Sequence, residues 1–256
     1  MSYPRLTRDR IDEIEDRVAG NAATIEERLE RIRDARKIPE LDDLKYHEAK
    51  RFDLGIVFID INDFKQYLDE NNRRDVLFML NLFITQTMEL VKDFDGHFEK
   101  NTGDGALVYF GEESDPEKVV SNILKFLATL KLMLANFINP TLENKNIEPI
   151  SISVGATYSR NVHITKIGIW NNSRRTLVSN SANGAFILEQ EAGINEFYVN
   201  EGIKKHSDPD GFGAALKHVG FFDRYKWKSK DGKKENEKIY KFVGKWPNTQ
   251  EENLYG

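Results

Sequence analysis

The strongest pattern along the chain is an almost unbroken apolar run, Leu54-Gly55-Ile56-Val57-Phe58-Ile59-Asp60-Ile61. A run of strand length without polar alternation suits a strand covered on both faces. Helical periodicity follows from about Val76 to Val91, with Leu77, Leu80, Phe83 and Ile84 on the expected buried face. Phe98 to Phe110 reads as a β-hairpin around the turn-rich Asn101-Thr102-Gly103-Asp104-Gly105. Asp115-Pro116 supplies a cap and a first-turn proline for a helix running to about Phe137. Ile150 to Thr157 alternates as a half-buried strand. A helix over 180–191 and a strand near Phe197 come next. Phe221–Lys228 and Lys238–Val243 read as a closing hairpin with a lysine-rich tip.

Upstream of this region the character differs. Ile11, Ile14 and Val18, then Ile25, Leu29 and Ile32, recur at helical spacing in a charge-rich background. Gly20-Asn21 predicts a break between two short helices, and Pro39 a break before the main domain. Residues 1–50 thus form an N-terminal helical arm, either a hairpin packed on the domain or an arm for dimerisation or input sensing. Residues 51–246 form the main domain and 247–256 a polar tail. The β-α-β-β-α-β order of the main domain predicts a ferredoxin-like α/β (α+β) core.

Composition narrows the chemistry. The chain of 256 residues has no cysteine, which excludes disulfides, thiolate zinc sites and cysteine nucleophiles. A formal net charge of -5 gives no basic footprint for duplex nucleic acid. No apolar run follows Met1, and no apolar stretch approaches the ~20 residues that span a bilayer, so a cytoplasmic protein with no membrane partner is expected.

Asp60 ends the apolar strand and Asp104 sits in the hairpin turn. Either alone would be an ordinary solvated carboxylate. Antiparallel pairing of their strands would bring both to one edge of the sheet, where they could hold hard divalent cations completed by phosphate oxygens. The amides of Asn62-Asp63-Phe64 could cradle phosphate if they open a helix.

The paired segments resemble a known family. Phe58-Ile59-Asp60-Ile61-Asn62-Asp63-Phe64 is similar to the first metal motif of class III nucleotidyl cyclases, and Lys100-Asn101-Thr102-Gly103-Asp104 to the second. The resemblance covers roughly residues 52–245. It implies that two Mg2+ or Mn2+ ions are held by Asp60, Asp104 and the backbone at Ile61, with Phe64 in the phosphate loop. Asp63 departs from the family, which has glycine there.

The resemblance also implies a base-reading residue at Lys100, a second reader at Thr176 and a transition-state asparagine at Asn183. Ile187 stands where that pattern has an arginine, which leaves Arg175 or its neighbour Arg174 as substitute cations. Lys226 and Lys228 match a triphosphate-contacting lysine. Adenylate cyclases carry aspartate where Thr176 stands, and guanylate cyclases glutamate where Lys100 stands. The altered pocket is similar to that of the bacterial pyrimidine cyclases of Pycsar antiphage systems. That resemblance implies UTP or CTP as substrate and a separate effector that responds to the cyclic nucleotide; the donor-only Lys100 with Thr176 ranks UTP ahead of CTP, and the cyclase resemblance implies a homodimer with composite active sites. The alternatives are an adenylate cyclase or a degenerate cyclase fold that only binds nucleotide. A diguanylate cyclase would need a Gly-Gly-Asp/Glu-Glu-Phe run, which Gly103-Asp104-Gly105 does not supply.

Overall fold

The computed structural model describes residues 6–29, 49–70, 72–101, 103–111, 115–169, 172–221, 227–228, 234–235 and 237–246. The apolar run becomes the centre of β1 (Ala49–Ile61), whose residues alternate between two buried faces. Val57, Ile59 and Ile61 point into the main core, while Leu54, Ile56 and Phe58 point to the other side. After β1 come α2 (Phe64–Glu70) and α3 (Arg73–Asp93), then the hairpin β2 (Gly96–Asn101) and β3 (Ala106–Phe110). α3 buries Val76, Phe78, Met79, Leu82, Phe83 and Ile84, so its buried stripe is rotated from the expected one and leaves Leu77 and Leu80 half-buried.

α4 (Pro116–Met133), capped by Asp115, passes through a π-helical turn (Leu134–Ile138) into α5 (Asn139–Glu143). The continuous helix Pro116–Glu143 is long and apolar enough to cross a bilayer, contrary to the sequence reading, but 67% of its apolar window is buried inside the protein. Such burial is that of a core helix.

β4 (Ile152–Ile169) is far longer than the strand expected over 150–157, and residues 152–158 are fully buried rather than alternating. Its outer half pairs with β5 (Asn172–Val178) as an antiparallel ribbon that the hydrophobic pattern did not reveal. α6 (Asn180–Glu191) occupies the span read from the sequence. Then follow β6 (Phe197–Asn200), α7 (Glu201–His206), a 3-10 turn at Phe212–Ala215, and β7 (Leu216–Phe221). The short strands β8 (Trp227–Lys228) and β9 (Lys234–Glu235) pair with each other, and β10 (Lys238–Phe242) pairs with β6 and β7.

The sheet runs β2-β3-β1-β4-β6-β10-β7, with β5 branching from β4. All pairings are antiparallel except β4 with β6. The first four strands have the ferredoxin-like order, as expected. α3 and α4 cover one face, and α6 lies on the other, over β1, β4 and β6.

α1 (Arg8–Leu29) is one helix through Gly20 and Asn21, not two. An internal glycine costs about 1 kcal/mol relative to alanine. Burial of Ile11, Ile14, Val18 and Ala22 in the main core outweighs it. Arg17 pairs with Asp93 (2.8 Å) and Glu89 (3.2 Å), and Arg10 with Asp93 (2.9 Å), which dock α1 on α3. Ile32 and Pro39 lie outside the described residues.

Two contacts fix the end of β10 and the segment after it. The Lys131 ammonium, on α4, donates to the Phe242 carbonyl (2.7 Å) and sits over the Phe197 ring at 4.5 Å. The Trp246 indole N–H donates to the Thr129 hydroxyl (2.9 Å).

Candidate active site

Asp60 follows Leu54, Ile56 and Phe58 by strand alternation, so it projects on the α6 face of the sheet. β1 pairs with β3 as far as Ile59 opposite Ala106, which puts the turn carrying Asp104 beside the end of β1. The turn depends on Gly103, whose φ of +111° is a region that other residues rarely enter. Lys100 pairs with Leu107, a residue of the α6 face, and is exposed there. Thus Asp60 and Asp104 come close enough at one edge of the sheet for their carboxyls to interact, and Lys100 lies on the same face.

A third carboxylate stands beside them. Ser153 on β4 lies opposite Asp60, and its hydroxyl donates to Glu189 Oε1 at 2.8 Å. Glu189 is only 7% exposed although it sits on α6. Burial first, then the charges of Asp104 and Glu189, pushes the Asp60 carboxyl up to about 7. Burial also raises the Glu189 carboxyl, against the lowering effect of the Ser153 hydrogen bond. Sequence reasoning missed Glu189, because a glutamate near a helix end reads as solvated. The available signal was its spacing, four residues beyond the buried Ala185.

Gly155 brings Glu189 this close. A Cβ at Gly155 would lie 1.9 Å from the Ala185 carbonyl oxygen and 2.3 Å from the Glu189 amide nitrogen. The backbone of α6 therefore rests directly on β4. Gly155→Ala is expected to cost about 3 kcal/mol, because the neighbouring atoms are backbone and cannot step aside. Denaturant unfolding of the purified variant checks this.

Asp63 explains its departure from the family motif. Its φ is +53°, the left-handed region that glycine enters freely and aspartate better than most other residues. Its carbonyl accepts from the Tyr67 amide (3.0 Å), starting α2. Asp63→Gly is expected to keep turnover and to change stability by less than about 1 kcal/mol, whereas Asp63→Val should cost about 1–2 kcal/mol. Thermal melts with a turnover assay measure both.

The remaining sequence candidates separate into groups. The Ile61 side chain is buried in the core, so only its carbonyl is available to a cation. The Phe64 ring packs against the core, leaving its amide for phosphate. Asn183 is exposed in the first turns of α6, six residues or roughly 9 Å of helix from Glu189. Thr176 is half-buried on β5 opposite Thr165. Ile187 is 8% exposed and packs with Leu188 and Ile239, so the position of the missing arginine is an apolar contact. Arg174 and Arg175 lie on β5, and Lys228 on β8, but their side chains lie outside the described residues, as does Lys226 altogether.

The donor set suits a hard cation: two carboxylates and a backbone carbonyl, with an excess of negative charge that Asp60 registers. Among the described residues no cluster of three or more His, Asp or Glu side chains could hold a metal by itself. Glu189, tied to Ser153, stands beside the Asp60–Asp104 pair.

No family model matches the chain. A cytidylate cyclase of Staphylococcus aureus is 25% identical over 155 residues, 59% of this chain. The chain spans only 37% of that relative's length. Among solved structures, the adenylyl cyclase CyaB from P. aeruginosa superposes with a TM-score of 0.65 at 16% identity, over 79% of this chain and 100% of its own. The guanylyl cyclase Cya2 gives 0.63 at 16% identity, over 79% and 96%. The guanylate cyclase domain from Catenaria anguillulae, in complex with GTP, gives 0.60 at 16%, over 77% and 99%. The chain has the class III nucleotidyl cyclase fold.

Proposed function

We propose that this protein is a nucleotidyl cyclase that converts a pyrimidine nucleoside triphosphate to its 3′,5′-cyclic monophosphate and diphosphate. The observation that carries the reading is the Asp60–Asp104 pair at one sheet edge of a cyclase fold, with the Asp60 carboxyl pushed up to about 7. In the reaction the ribose 3′-oxygen bonds to the α-phosphorus, the bond from that phosphorus to the bridging oxygen breaks so that this oxygen leaves with the diphosphate, and the 3′-hydroxyl proton passes to solvent. Two divalent cations held by Asp60, Asp104 and the Ile61 carbonyl would activate the hydroxyl and offset charge on the leaving diphosphate. Lys100 and Thr176 read the base. Asn183 orients the ribose and phosphate, and Arg175 supplies the cation that Ile187 cannot.

Asn183 and the half-exposed Phe186, which packs edge-on against Phe58 at 5.6 Å, lie on the face that a second copy would cover. A head-to-tail homodimer would then join the base-reading residues of one copy to the aspartates of the other. The cyclic product serves as a signal for a separate effector, in antiphage defence.

The name of the Staphylococcus aureus relative supports a pyrimidine substrate. UTP is ranked ahead of CTP because Lys100 only donates, uracil offers two carbonyl acceptors, and Thr176 can serve its ring N–H. The cytosine and adenine amines lack the aspartate that would receive them, a loss of about 1–3 kcal/mol, or roughly tenfold to a hundredfold. The test is a competition of the four triphosphates at equal concentration with Mn2+, the products read by mass. Cyclic UMP is expected to dominate, followed by cyclic CMP. Dominant cyclic AMP or cyclic GMP would refute the pyrimidine reading. Triphosphate binding without any cyclic product would instead indicate a nucleotide-binding module.

A further inference from the structure

β2 carries a β-bulge. Gly96, His97 and Phe98 lie opposite Phe110, Tyr109 and Val108 on β3, but Lys100 rather than Glu99 lies opposite Leu107. In an unbroken strand residues 97 and 100 would point to opposite faces, because side chains alternate. The extra residue turns Lys100 back to the face of His97, which is also the face of Leu107 and Tyr109. Leu107 and Tyr109 are two positions apart on β3, so Lys100 and His97 stand roughly 7 Å apart along one face. One pyrimidine ring can bridge that separation.

The two side chains differ in freedom. Lys100 is exposed and carries its charge on a flexible stem. The His97 ring stacks on the ring of Tyr109, with centroids 6.2 Å apart and planes 17° from parallel, and Tyr109 is buried. Glu99, the bulged residue, has a side chain only 8% exposed and places its Oε2 3.7 Å from His97 Nε2. A carboxylate there keeps a proton on Nε2, the outer ring nitrogen. The imidazole is thus oriented from two sides, while 51% of its side chain remains exposed.

A base reader must meet what distinguishes the bases. Uracil and cytosine share the O2 carbonyl and differ at position 4, a carbonyl in one and an amine in the other. A lysine alone discriminates poorly between them, because its ammonium can swing to O2 in either base. A ring stacked on Tyr109 cannot follow it, so its N–H pairs with a carbonyl and opposes an amine. We propose that His97 is a specificity-determining residue that donates to uracil O4 while Lys100 donates to O2. This rests on the reading of Lys100 as a base reader in a pyrimidine cyclase. With Thr176 at the ring N–H, every polar group on that edge of uracil then has a partner.

Steady-state kinetics of the full chain with UTP and with CTP, in the presence of Mn2+, tests the assignment in the wild type, His97→Phe and His97→Gln. Phenylalanine keeps a ring on Tyr109 and removes the N–H, whereas glutamine returns an N–H without the ring. His97 is exposed, so neither substitution threatens the fold. His97→Phe is expected to raise KM for UTP about tenfold, with KM for CTP and both kcat values held within about twofold. His97→Gln should recover most of the loss with UTP. A wild type that makes cyclic UMP while His97→Phe leaves KM for UTP unaltered, raises both KM values equally, or lowers kcat alone overturns the role of His97 and leaves the pyrimidine cyclase standing. A wild type that makes no cyclic UMP overturns both.

Discussion

Asp60→Asn is expected to remove turnover, by roughly three orders of magnitude or more, while making the cation-free protein more stable at neutral pH. Both effects have one cause. In the cation-free fold the Asp60 carboxyl titrates near 7 instead of its ordinary 3.8, owing to burial and the charges of Asp104 and Glu189. A carboxyl raised on folding binds its proton more tightly in the folded than in the unfolded state. The penalty for ionising it is absent below about 3.8, grows between 3.8 and 7, and is complete above 7. This group therefore makes the cation-free protein less stable as pH rises through that window. Asparagine keeps the shape and removes the charge, so the variant should lose that slope. Mn2+ should stabilise the wild-type protein more at pH 8 than at pH 5, and the variant little at either pH. Melting curves across pH with and without Mn2+ provide the measurement. A wild-type protein whose stability ignores Mn2+ at pH 8 would contradict the proposed role of Asp60.

Mixing Asp60→Ala chains with Asn183→Ala chains is expected to restore activity that neither has alone. If the aspartates of one copy meet the Asn183 of another, each mixed dimer holds one site with both residues intact and one with neither. Random exchange at equal amounts makes about half the dimers mixed, so about a quarter of wild-type activity should return. Asn183 is exposed on α6, the helix that among the described residues packs on that face of β1 and β4, and this leaves room for such an approach. The exchange is verified with chains of distinguishable mass before activity is read. No recovery after proven exchange would place the whole site within one chain.

How much could be read in advance depended on whether each residue's role was local. β1 was legible because a strand buried on both faces has to be apolar throughout. α6 was legible because Ser179 caps its start, its hydroxyl accepting from Ser181 at 3.0 Å. The juxtaposition of Asp60 and Asp104 was legible because it rests on a strand end and a glycine turn, both local features. The β4–β5 ribbon was not, because its stability comes from cross-strand pairing such as Thr165 with Thr176, which leaves no periodic apolar signature. Gly20 misled because packing of α1 on α3 overrides local propensity. Glu189 was hidden for a similar reason, since its burial comes from the Gly155 contact 34 residues away in sequence.

The fastening of Lys131 to Phe242 and of Thr129 to Trp246 has a mechanical side. β10 lies between β6 and β7, and its last residue and the segment beyond it are bolted to α4 at Lys131 and Thr129, two residues apart. Tension applied beyond Trp246 would not peel β10 from the sheet first. It would load the two bolts in shear and draw on α4, the helix that backs β1 and β3. Force on that side of the domain thus has a short, stiff route to the strand that ends in Asp60.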